Sequence, residues 1–312
     1  MLRRLRSTWE KNWPEIRCAA TGSVPDFVLA RVPKQRTDAV PVFCYHDVVG
    51  PELRQDLEYL RQNGYATLIA DELVAFLRGE FSLSGPSVVL TFDDCSRSLF
   101  QVALPLLERH GCRAVAFAAP KFHDLAEEVV GDEHRPCTWK ELRVMRRSGF
   151  VDVQSHSLEH RYFPRWPEPV PLCGADARMN ETVARGPARN MDEDLRLARE
   201  ILEARLGSGV RHLAFPMYDG TGEALRIGRE VGYQSFWWGV LPGRPTNCPA
   251  LSTGNRMNDP TDHIVRISAE FLRRLPGEGR ISLGSILRAR YGRTFQRWMG
   301  RPTFPPTNPP RR

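Results

Sequence analysis

The hydrophobic pattern falls into short unbroken apolar runs alternating with stretches of helical spacing. The clearest run is Val88-Val89-Leu90-Thr91-Phe92, which leads straight into Asp93-Asp94. Such a run reads as a strand buried on both faces, as in a parallel sheet. Val40–Tyr45, Arg113–Ala118, Phe150–Val153, Arg211–Phe215 and Tyr233–Val240 predict further strands. Helices are predicted over Pro51–Asn63, Asp71–Arg78, Leu99–His110, a segment opened by Thr138 and Glu141, Asp192–Leu206 and Gly222–Val231. Thr138 and Glu141 form a capping-box pattern. Leu195, Ala198, Ile201, Leu202 and Leu206 face one way, and Gly207 ends that helix. Trp237 and Trp238 alternate, so one is expected to line a pocket and the other to pack in the core. Residues 261–298 read as helical and accessory. Strands alternating with helices predict a parallel α/β sheet, and periodicity alone leaves open whether it is a barrel or doubly wound.

The strand-end carboxylates are the first candidate chemistry. Asp93 and Asp94 would sit side by side at the carboxyl edge of a sheet, where α/β folds place their ligands. Two like charges this close resist ionising together, and a cation or a shared proton relieves that. The alternative is a pair of solvated loop acids. Downstream, His156 and His160 stand four apart in Ser155-His156-Ser157-Leu158-Glu159-His160. On a helical turn that spacing puts both imidazoles on one face, within reach of one ion. With a strand-end carboxylate they make a two-His, one-carboxylate set. His46 ends the first strand, either facing substrate or serving the structure.

Thr91-Phe92-Asp93-Asp94 followed by His156-Ser157-x-x-His160 resembles the polysaccharide deacetylase family, carbohydrate esterases with a NodB-type domain. The resemblance extends to Tyr45-His46-Asp47-Val48-Val49, Ala103–Leu107 with His110-Gly111, Thr138–Leu142 with Met145 and Ser148-Gly149, and Phe215-Pro216-Met217-Tyr218-Asp219-Gly220. Asn255-Arg256-Met257 is similar to a later Arg segment of such deacetylases. Roughly residues 40–260 are covered, far more than any single short motif. The resemblance implies a distorted (β/α) barrel and a catalytic domain over 40–260. Residues 1–39 are then an N-terminal extension, 261–300 an accessory helical segment, and 301–312 a disordered tail dense in Pro and Arg.

The resemblance also implies metal-assisted removal of an N-acetyl group from an aminosugar in a glycan or glycoconjugate. Asp94, His156 and His160 would hold a divalent ion, zinc by default, and Asp93 would act as general base. The oxyanion would rest against the backbone N–H of Tyr218. Three features depart from the family pattern. Cys95 stands where a Gly usually follows the acidic pair, Met217-Tyr218-Asp219-Gly220 lacks the compact Pro-Tyr-Gly spacing, and no Leu-x-His motif supplies a general acid. His46, or Asp93 after taking the first proton, is the replacement. Phe163 is expected to pack beneath the metal turn, and Tyr162 and Trp166 offer stacking faces for a sugar ring. Alternatives are a carbohydrate-binding member of the fold without turnover, or hydrolysis of another non-peptide amide.

Bulk properties adjust this picture at the edges. The formal charge of +7 suggests an anionic partner. Much of the excess is Arg at the two ends, and no helix-turn-helix, zinc finger or basic-aromatic repeat points to nucleic acid. Seven cysteines, odd in number and without a Cys-x-x-Cys pair, read as reduced thiols. With no signal-peptide apolar region and no spanning run, a cytoplasmic location is expected. Leu2, Leu5, Trp9 and Trp13, among Arg3, Arg4, Arg6 and Lys11, leave peripheral membrane contact through the N-terminus as an option beside simple packing on the domain.

Overall fold

The computed structural model describes residues 38–126, 135–167, 188–239, 255–275, 281–288 and 292. Residues 1–37, with the basic and apolar positions from Leu2 to Trp13, residues 168–187 and the tail over 301–312 lie outside the described residues.

The first predicted strand is broken at Pro41, which lacks an N–H for a ladder. β1 (Ala39–Val40) pairs antiparallel with a distant strand at Asn255–Arg256. β2 (Val42–Tyr45) enters the main sheet beside β4 (Ser87–Asp93). Between them lie α1 (Gly50–Gln62), β3 (Ala66–Thr67) and α2 (Ala70–Leu77). Next come a π turn at Leu99–Ala103, α3 (Leu104–His110), β5 (Ala114–Ala118), α4 (Pro120–Ala126), α5 (Trp139–Arg147) and β6 (Val151–Ser155). The remainder is α6 (Met191–Leu206), β7 (His212–Ala214), α7 (Gly222–Val231), β8 (Ser235–Gly239), β9 (Asn255–Arg256) and β10 (Ile264–Ser268).

β2, β10, β8, β7, β6, β5 and β4 are hydrogen-bonded in that order, all parallel, and β4 returns to β2. The sheet is therefore a closed seven-stranded (β/α) barrel, distorted by the two-residue β3 that hangs on the start of β4. Alternation along each strand produces two cores. Val88, Leu90 and Phe92 face the surrounding helices with Phe43, Val153, Leu213 and Phe236. Val89, Val42, Val115, Ala214, Trp237 and Ile264 face the lumen. Trp237 accordingly fills the barrel while Trp238 packs outward. α2 closes the amino-terminal mouth, its Leu73, Val74 and Leu77 packing on the lumen residues.

Local sequence explains the helix ends. Thr138 Oγ1 accepts from Glu141 N at 3.3 Å, and Glu141 Oε2 accepts from Thr138 N at 2.7 Å. Asn190 Oδ1 caps α6 by accepting from Glu193 N at 2.9 Å, and Gly207 takes the left-handed φ of 68° at its other end. No helix among the described residues is long and apolar enough to cross a membrane.

The expectation of a helical accessory segment from residue 261 is corrected. Residues 264–268 are β10, the strand that closes the barrel between β8 and β2. Ile264 faces the lumen, and Arg266, sharing its parity, does too. That inward Arg interrupts the apolar run by which a buried strand is read from sequence.

Candidate active site

Parity within the barrel decides which side chains meet. Asp93 continues the lumen-facing set of Val89 and Thr91, and His156 continues that of Asp152 and Gln154. Cys44 leads to His46 in the same way, and Ile264 to Arg266. Asp93, His156 and His46 lie at or just past the carboxyl ends of β4, β6 and β2, where a barrel gathers its chemistry, and Arg266 reaches them from the middle of β10.

Beyond β4 the chain turns through two left-handed residues, Asp94 at φ 65° and Cys95 at φ 45°. Such conformations cost on the order of 1–3 kcal/mol each for non-glycine residues, which is the physical reason a Gly suits position 95. The turn is held by Cys137 N donating to Cys95 O at 2.8 Å and by the Ser96–Pro136 bridge. Cys95 Sγ donates to Phe117 O at 3.4 Å, and burial pushes its thiol well up, so it remains a thiol in the wall.

The two-histidine segment is not helical. Ser157 and His160 both take positive φ, 64° and 51°, and Ser157 Oγ accepts from His160 N at 3.1 Å. The rings nevertheless lie 4.7 Å apart, centroid to centroid. Asp94 Oδ1 is 3.4 Å from His160 Nε2 and 3.6 Å from His156 Nε2. Asp93 Oδ2 is 3.7 Å from His156 Nε2. All four residues are buried. The acceptor Ala214 O, 2.8 Å from His156 Nδ1, requires that nitrogen to carry the proton. Burial pushes the His156 imidazole down to about 3, so it is neutral at ordinary pH. Its Nε2 lone pair then faces carboxylate oxygens, a repulsive arrangement that a cation among Asp94, His156 and His160 would turn into coordination. The donor set, two imidazole nitrogens and one carboxylate oxygen within 4.8 Å of one another, suits zinc and other divalent transition ions.

Asp93 has a different partner. Arg266 Nη1 donates to Asp93 Oδ1 at 2.6 Å, and the guanidinium lies 5.2 Å above the Phe117 ring and 5.3 Å from that of Tyr218. Burial alone would raise the Asp93 carboxyl; the Arg266 guanidinium on it outweighs that and holds it far below the usual range. Cys44 Sγ, a His46 ring nitrogen and an Asp93 oxygen form a second close trio. The guanidinium already on Asp93, together with burial that pushes the Cys44 thiol up to about 12, makes that trio a poor cation site.

His46 Nε2 lies 3.4 Å from Tyr218 Oη, and Ser96 Oγ donates to the His46 carbonyl at 3.4 Å. Ser98 Oγ accepts from Val48 N at 2.9 Å, so the loop after the acidic pair also shapes the His46 loop. A cleft of ≈ 200 Å³ opens beside His46, bordered by Val48, Val49, Glu52, Glu270 and Arg273. The backbone role expected for Tyr218 is corrected. Its N–H donates to Phe215 O at 3.0 Å within a tight turn and is not aimed at the acid pair. What Tyr218 brings to the site is its side chain. Trp166 packs against Phe163, centroids 5.6 Å apart, beneath the Arg161 guanidinium, and Phe163 stacks edge-on against Phe215. Trp166 thus packs on Phe163 while remaining partly exposed. Tyr162 Oη donates to Asp219 Oδ2 at 3.0 Å. Arg256 lies on β9, its guanidinium 3.3 Å from Asp38, in the small sheet with β1. His263 stacks on Trp238, 5.3 Å apart, at the opposite end of β10.

Comparison with known proteins places this chain in a family. Residues 82–236 match the family model described as Polysaccharide deacetylase. Through that region the chain belongs to the polysaccharide deacetylase family. It is 30% identical over 200 residues to the poly-beta-1,6-N-acetyl-D-glucosamine N-deacetylase of Escherichia coli (strain K12), covering 59% of this chain and 30% of that protein. Against YxkH of Bacillus subtilis (strain 168) it is 24% identical over 159 residues, 48% of this chain and 54% of that protein. The chain thus spans about half or less of these curated relatives. Among solved structures, IcaB from Ammonifex degensii superposes with a TM-score of 0.57 at 24% identity, covering 78% of this chain and 98% of that one. The de-N-acetylase from Aggregatibacter actinomycetemcomitans gives 0.55 at 16% identity, covering 80% and 99%. These two share the fold.

Proposed function

We propose that this protein hydrolyses the N-acetyl group of an aminosugar within a glycan or glycoconjugate. Asp94, His156 and His160 would hold a divalent ion, zinc by default, and Asp93 would be the general base. The observation that carries this reading is the placement of Asp94 Oδ1 within 3.6 Å of both imidazole Nε2 atoms, beside a second carboxylate clamped by Arg266. A divalent ion there would lower the pKa of a water and polarise the acetyl carbonyl.

The protein's own groups supply the proton movements. Asp93, kept ionised by Arg266, accepts the proton of the attacking water as the new C–O bond forms. The C–N bond then breaks, and the departing amine takes a proton. His46, beside the cleft and 3.4 Å from Tyr218 Oη, would give it; that proximity supports the assignment. The buried Phe117 and Trp237 beneath exclude bulk water from the Asp93–Arg266 pair.

The relative from Escherichia coli makes poly-β-1,6-N-acetyl-D-glucosamine the first substrate to try. The test is metal analysis of the purified protein with an acetate-release screen over N-acetylated sugars and their oligomers. Release that depends on bound metal, and that Asp93→Asn abolishes with the metal retained, supports the proposal. Bound metal without acetate from any N-acetylated sugar, or full release by Asp93→Asn, rejects it.

A further inference from the structure

We propose that Asp194, on the outer helix α6, is the positioning residue for the two-histidine turn, setting the separation of His156 and His160; this rests on the metal-site reading above. Asp194 is fully buried. A carboxylate with no access to water is costly unless its oxygens are satisfied. Here Oδ1 accepts from Leu158 N at 3.1 Å and Oδ2 from Glu159 N at 3.2 Å. Those two N–H groups are the middle of the segment that separates the imidazoles.

The segment has few means of holding itself. Ser157 and His160 are both left-handed, so no helical ladder fixes the turn. His156 is anchored independently, through its ring nitrogen to Ala214 O on β7. His160 lies beyond the two N–H groups that Asp194 gathers, so the carboxylate fixes where the second imidazole arrives relative to the first. α6 is itself registered to the strand that carries His156. Tyr233 Oη donates to Ser155 Oγ at 2.9 Å and lies 3.1 Å from Leu195 O, linking the end of β6 to the residue after Asp194. A buried ion pair, Glu159 with Arg161 at 2.7 Å, flanks the turn, and Glu159 Oε1 accepts from Ala188 N just ahead of α6. The outer helix, the strand end and the turn thus form one rigid unit whose polar centre is Asp194.

A residue that orients ligands in this way typically alters metal affinity 10–100-fold when lost. The test uses zinc and cobalt(II) as probes on the full chain, with chelator competition for affinity and the visible spectrum of the cobalt form for geometry. Asp194→Asn keeps the shape but can accept only one of the two hydrogen bonds. It is expected to weaken zinc by about 10–100-fold and to shift the cobalt bands. Asp194→Glu keeps the charge and both acceptors one methylene further out; it is expected to recover most of the affinity with a displaced cobalt spectrum. Leu202→Ala, a core truncation on the same helix away from the turn, should lower thermal stability and leave zinc affinity and cobalt spectrum as in the wild type. Unchanged affinity and spectrum in both Asp194 variants would overturn the proposal, and so would an equal loss of affinity in Leu202→Ala. A wild-type protein that binds neither metal would instead remove the reading on which it rests.

Discussion

Arg266 on β10 and Asp93 on β4 form an ion pair of 2.6 Å inside the barrel, with their side chains 0% and 2% exposed. Breaking a buried pair on one side leaves the other charge uncompensated, at a cost of about 3–5 kcal/mol. Arg266→Met is therefore expected to lower stability by that order. The variant's Asp93 carboxyl should also titrate higher, since the guanidinium that favours its charged form is gone. In the wild type the folded-state pKa of Asp93 is depressed. Its contribution to stability is thus complete above the ordinary carboxylate range and is lost only as pH falls through the folded value. In Arg266→Met the acid limb of kcat/KM should move to higher pH, checked by pH–rate profiles on protein whose folding circular dichroism confirms.

Metal removal is expected to abolish acetate release and to lower the melting temperature. If zinc binds as proposed, a free concentration of 100 Kd would stabilise the folded chain by about 2.7 kcal/mol. Calorimetry with and without chelator measures this. Restoring zinc should return both activity and melting temperature.

If His46 protonates the departing amine, His46→Ala should slow amide hydrolysis by about 100-fold or more. An aryl acetate, whose phenolate leaves without a proton, should be far less affected. Equal losses on the two substrates would show that His46 acts elsewhere. Cobalt spectra should be unchanged, since His46 is not among the ligand trio.

Gly239 lies at the end of β8 with its Cα against Tyr218, so that any Cβ there would overlap the tyrosine's own Cβ. Gly239→Ala forces Tyr218 and the His46 contact to move. Overpacking of this kind costs about 1–3 kcal/mol, and the expected signature is a fall in kcat with zinc affinity retained. A kinetic and metal-binding comparison of the variant with wild type decides it.

Sequence alone revealed most elements whose signals are local. The apolar run into Asp93-Asp94 is β4, the Thr138–Glu141 box opens α5, and Gly222–Val231 is a helix over those same residues. The acid pair and the two histidines stood out because their types and order are distinctive. Arg266 did not, because its partner is 173 positions away and an Arg inside an apolar stretch argues against a buried strand. The four-residue histidine spacing suggested a helical turn, whereas the chain reaches the same proximity through two left-handed residues that composition does not announce. Asp194 was similarly hidden: on a helix with acidic residues at 192, 193 and 194, nothing in the pattern distinguishes the one that turns inward. The oxyanion role of the Tyr218 N–H is implied by the resemblance alone; its actual partner, the carbonyl of Phe215, depends on backbone turn geometry that residue types do not carry.

Ring closure carries a consequence for synthesis. The counter-charge of Asp93 sits on β10, the strand that closes the barrel between β8 and β2, synthesised 173 residues after the acid itself. A nascent or proteolytically shortened chain that ends before residue 266 has an open seam between β8 and β2 and a carboxylate without its guanidinium. The wall that seals the lumen and the cation that keeps its acid charged therefore arrive together, so an unfinished copy lacks both at once.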